Sequence, residues 1–71
     1  MRITYDLWVA DERVATSIHG SMLAATIEDI AAEHQVTVLG MQQITTVEGT
    51  SLAGSITPVA ALGSARVAMI R

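Results

Sequence analysis

From residue 34 to residue 65 the chain carries one formally charged side chain, Glu48. Almost half of the sequence therefore has little charge to hold it in water, and it must be covered by the protein itself or by a partner. A chain of 71 residues allows one small domain, spanning 1–71. A domain of that size buries only about 60% of its unfolded surface and usually needs a staple. Cysteine is absent, so no disulfide is available, and two histidines without thiolates make a poor zinc set. Self-association is the staple that remains, and a two-fold dimer is its commonest form.

The N-terminal segment alternates cleanly. Ile3, Tyr5, Leu7 and Val9 fall on one side and Thr4, Asp6, Trp8 and Ala10 on the other, the period of a half-buried strand, expected over residues 2–10. Asp11, Glu12 and Arg13 form a polar break. Val14, Thr16 and Ile18 alternate again, so a second strand returning antiparallel completes a hairpin. Gly20 and Ser21 stop that strand, with Ser21 placed as N-cap of a helix reaching about residue 35. Leu23, Ile27, Ile30 and Ala31 make one apolar stripe, and Glu28, Asp29 and Glu33 lie outside it, as expected for a helix resting on a sheet.

Beyond the helix the pattern becomes β-branched. Residues 36–47 read as a third strand bulged at Gly40, Glu48 and Gly49 as a turn, residues 51–57 as a fourth strand and residues 65–70 as a last one. Thr57, Pro58 and Gly63 also allow a helical turn at residues 58–62. The expected fold is α+β, in the order β-β-α-β-β-β, with one helix on a mainly antiparallel sheet. The third and last strands are apolar on both sides. The second sheet face thus calls for cover, and a second copy of the chain is the simplest source.

Candidate functional residues are few. His19 and His34 bracket the helix about 22 Å apart, too far to share a metal within one protomer. The acidic residues read as a solvated face, without the buried carboxylate that acid–base work requires. No nucleophile or metal set emerges, so no enzymatic activity or cofactor is expected. Residues 49–55 place two glycines and several hydroxyls like a phosphate loop but lack its lysine. Gly49 and Gly54 could at most offer amides to a small anion between subunits.

Trp8 is the most informative residue, because an indole on the strand face shared with Thr4 and Asp6 marks either a small second core packed on the last strand or a protein interface, with nucleotide stacking as a third reading. Nucleic acid is disfavoured as a partner: four arginines, Arg2, Arg13, Arg66 and Arg71, are scattered and outnumbered by seven carboxylates. Arg2, Arg66 and Arg71 would cluster only if the terminal strands paired, as in a β-ribbon reader.

The uncharged span 49–65 holds too many Ser, Thr, Gly and Pro residues for membrane insertion. Asp6, Asp11 and Glu12 interrupt any apolar signal region, so the expected location is cytoplasmic. The absence of Lys, Asn and Phe, with Ala, Val and Thr abundant, resembles the bias of a GC-rich genome, such as an actinobacterium or its phage. The reading that results is a small, self-associating interaction protein that binds or occludes another protein, of host or virion origin. The alternative is a module holding a small anion between subunits.

Overall fold

The computed structural model describes residues 1–61 and 67–69. The elements follow the order β1 (Arg2–Val9), β2 (Glu12–Ile18), α1 (Gly20–His34), β3 (Val38–Val47), β4 (Thr50–Ala61) and β5 (Val67–Met69). The strands form one sheet in the order β2-β1-β3-β4-β5, and every neighbouring pair is antiparallel. This is the α+β arrangement expected, with α1 laid across one face.

The alternation in β1 sets the two faces. Leu7 is fully buried beneath the helix beside Ile27, Ile30, Ala31, Leu39 and Val59. Burying a side chain of this size stabilises the fold by roughly 2 kcal/mol, so Leu7, Ile27, Leu39 and Val59, all almost fully enclosed, dominate the contact between helix and sheet. Val9, Val14, Ala15, Ile18, Leu23, Val36, Met41 and Ala61 extend this core at partial burial.

Strand β2 departs from the expected alternation. Its pairing with β1 shifts register twice, between Tyr5 and Leu7 and between Leu7 and Trp8. The extra residues bring Ala15 rather than Thr16 to the core side, and Thr16 stays exposed. Ser17 takes up a left-handed conformation, φ 56°, and its amide donates to the Asp6 carboxylate at 3.1 Å. A bulge of this kind releases one backbone donor for a side chain.

The helix starts earlier than the capping signal suggests. His19 is the N-cap and its side chain makes no capping bond, while Ser21 lies inside the first turn. Ile18 still pairs with Tyr5, and a Cβ on Gly20 would lie 3.7 Å from the Tyr5 ring. The chain must therefore turn into the helix at once to cover the sheet, which leaves no spacer that would move the cap to Ser21. At the other end Gln35 adopts the left-handed conformation, φ 56°, and the Val36 amide donates to the Ala31 carbonyl at 3.0 Å, closing the helix near the expected residue.

Strands β3 and β4 form the longest hairpin. Glu48 (φ 50°) and Gly49 (φ 82°) make its two-residue turn, the left-handed pair that matches strand twist. The bulge expected at Gly40 is absent: β3 keeps continuous register with β1 from Trp8↔Gly40 to Arg2↔Thr46. The irregularity lies across the hairpin, where Gln42 pairs with Ile56 but Ile44 pairs with Ala53, so the additional residue sits in β4 around Gly54. Strand β4 also runs through Pro58, paired with Gly40, so no helical turn begins there. The long ladder with β3 outweighs a local helix start. The part of that expected turn at residue 62 falls outside the described residues, as do parts of the expected last strand on either side of β5.

Candidate interaction site

The sheet face opposite α1 carries Thr4, Asp6 and Trp8 from β1. Thr4 and Asp6 are buried, at 6% and 7% exposure, although no helix lies over them. Asp6 is enclosed by its own neighbours: it accepts the Ser17 amide through Oδ1, and Oδ2 lies 3.4 Å from Arg13 Nε. Arg13 then turns its guanidinium over the Trp8 ring, 4.9 Å from the ring centre. A cation stacked on indole at partial exposure contributes about 0.5–1 kcal/mol. Half of the Arg13 side chain stays accessible, with only Nε engaged by Asp6.

Trp8 is half-buried rather than fully open. Its direct neighbour on β3 is Gly40, where a Cβ would come within 3.3 Å of Trp8 Cβ and 2.6 Å of Ile56 Cγ2. Gly40 is thus the floor of a small second layer flanked by Trp8 and Ile56. Trp8 packs here rather than on the last strand, because β3 and β4 separate β1 from β5. The indole Nε1 donates to Gln42 Oε1 at 3.3 Å, and Gln42 Nε2 donates to the Gly54 carbonyl at 2.9 Å. Gln42 fixes the indole to the bulge of β4.

The chain matches no family model, no curated protein and no solved structure.

Of the site residues expected from sequence, Trp8 and Gly54 are therefore joined, through Gln42. Gln42 is not singled out by the sequence, since a bridge from β1 to β4 becomes visible only once β3 is known to lie between them; Arg13 reads there only as part of the polar break and of the scattered arginines, because its pairing with Trp8 depends on the register shifts between β1 and β2. Arg2 is exposed on the same face as Trp8, opposite Thr46 at the far end of β1. Arg66 and Arg71 lie outside the described residues. The pairing of terminal strands that would have gathered these arginines does not occur, because β1 is interior and β5 is at an edge.

The anion loop expected at residues 49–55 is instead the start of β4. Gly49 serves the turn, with no atom within 4 Å of the place a Cβ would take, and alternate amides beyond it are taken up in the ladder with β3. Among the described residues no three His, Asp or Glu side chains converge, and no pocket opens. No helix among them is long and apolar enough to cross a membrane. His19 and His34 stand at opposite ends of α1, as N-cap and in the last turn. Glu28 is only half-exposed rather than a fully solvated member of the acidic trio.

Proposed function

We propose that the protein is a small cytoplasmic interaction module that self-associates and acts by binding, and so occluding, another protein. The observation that carries this reading is the Trp8–Arg13 stack, held in place by Asp6 and Gln42 on the face away from the helix. Trp and Arg are the side chains most enriched where binding energy concentrates. Here both are ordered by neighbours before any partner arrives, which lowers the entropy lost on docking. The free side of Arg13 suits a partner that presents a carboxylate beside an apolar anchor, since its remaining N–H groups match that geometry.

The test is quantitative affinity capture from an extract of the source cell, run in parallel with the wild type, Trp8→Ala and Arg13→Ala. A protein retained by the wild type and depleted at least tenfold by both variants supports the reading. Identical capture profiles for all three, with circular dichroism confirming folded variants, would falsify it.

A further inference from the structure

The apolar surface of the chain is concentrated away from Trp8. Helix α1 crosses the sheet and touches all five strands. Its first turn sits over Tyr5, level with Gln43 on β3, so beyond that pair the four residues to Val47 carry the β3–β4 hairpin and the start of β1 roughly 14 Å further with their helix-side face open. On this shelf Ile3, Thr45 and Leu52 stand side by side in register, with Val47 one step further out. Ile3, Val47 and Leu52 are 37%, 45% and 67% exposed.

Deepening the self-association part of the function proposed above, we infer that this shelf is covered by the same shelf of a second copy, related by a two-fold axis near Leu52. Stacked sheets lie about 10 Å apart, close to the depth of one helix layer. The arm of the partner thus enters the layer that α1 occupies and ends where α1 begins. Helix α1 starts level with the Tyr5↔Gln43 pair and the arm ends at Val47, so Thr45 and its neighbour Leu52 mark the midpoint of the overlap. With the axis there, the tip of each arm reaches the first turn of the other helix.

The charges agree with that arrangement. Glu48, the lone formal charge between residues 34 and 65, is at the arm tip. The helix start it meets has no side-chain capping bond and no acidic residue in its first turn. A carboxylate is favourable at such an end because the first amides are unpaired and the helix dipole is positive there. The two Glu48 copies lie at opposite ends of the overlap and do not repel one another. The shelf is about 14 Å by 14 Å, three strands wide, a footprint of about 200 Å² on each copy, so the pair buries roughly 500 Å² in total, the size of a weak, transient contact.

Light scattering during size-exclusion chromatography, from a few micromolar to several hundred, tests this on the full chain. The expected result is a mass rising to twice 7.5 kDa at the upper end. Leu52→Asp, and the milder Leu52→Ser, leave a monomer throughout with unchanged circular dichroism. Val38→Asp, on the opposite face, dimerises like the wild type, and Glu48→Gln raises the dissociation constant roughly tenfold, about 0.7 kcal/mol at each of two equivalent contacts. A wild type that is monomeric at the highest concentration overturns both the shelf dimer and self-association. A dimer that withstands Leu52→Asp, or that Val38→Asp breaks, overturns the shelf alone.

Discussion

Trp8 and Gly40 are direct cross-strand neighbours, and Trp8 Cβ together with Ile56 Cγ2 occupies the room that a side chain on Gly40 would need. This makes the glycine a requirement of packing rather than of backbone conformation. A methyl group at residue 40 meets Ile56 Cγ2 at 2.6 Å and Trp8 Cβ at 3.3 Å, so one of the two must shift. Ile56 is half exposed and can give way in part. Gly40→Ala is therefore expected to cost about 1–2 kcal/mol, measured by urea denaturation. In the Ile56→Ala background the same substitution should cost less than half as much, because the nearer obstacle is gone.

Asp6 serves two groups from one buried position. Asp6→Ala leaves the Ser17 amide without its acceptor and releases Arg13 from the indole, with an expected loss of about 1–3 kcal/mol. Arg13→Ala removes a half-exposed partner that water replaces, so its expected cost is only about 0.5–1 kcal/mol. Thermal unfolding of the two variants side by side checks the order. An equal or reversed order would show that the ion pair, not the backbone hydrogen bond, secures the β2 bulge.

Ala10, Ser17, Gln35 and Glu48 hold left-handed conformations that glycine adopts freely, and at two of them the side chain has no other part in the site or the proposed dimer. Ala10, φ 53°, turns the β1–β2 hairpin, and Gln35, φ 56°, closes the helix. Ala10→Gly and Gln35→Gly are each expected to stabilise the protein by up to about 1 kcal/mol. Being far apart along the chain and without a shared partner, they should act additively in a chemical denaturation series.

The uncapped start of α1 gives a further expectation. In the monomeric Leu52→Asp background, His19→Asp supplies an acceptor for the first-turn amides and should raise stability by about 1 kcal/mol. In the wild-type background the same change sets two carboxylates against one helix end, and dimerisation should weaken. The pair of results, read by calorimetry and by light scattering, separates capping within a chain from capping between chains.

Local pattern alone made the order of elements legible. Period-two alternation marked β1, the stripe of Leu23, Ile27, Ile30 and Ala31 marked the helix, and β-branched runs marked β3. Each signal is a repeat along the chain, set by which side chains one face can bury. Trp8 too could be placed on the face away from the helix, because its parity with Thr4 and Asp6 follows from the pleat.

What tertiary structure alone decided depends on which strands lie side by side. The role of Gly40 follows from Trp8 and Ile56 arriving from strands on either side of it, and a glycine within a β-branched run reads equally well as a bulge. Thr57 and Pro58 carry a good local helix start, yet the ladder from Val38 to Val47 holds them extended, since many cross-strand hydrogen bonds outweigh one favourable cap. Ser21 lost the cap to His19 because Ile18 remains bound to Tyr5. The Trp8–Gln42–Gly54 link and the open shelf at Leu52 arise from strand order and from a helix that covers only part of its sheet. Neither relation is encoded in any stretch of neighbouring residues, which is why the sequence determined the elements and the packing determined the surfaces.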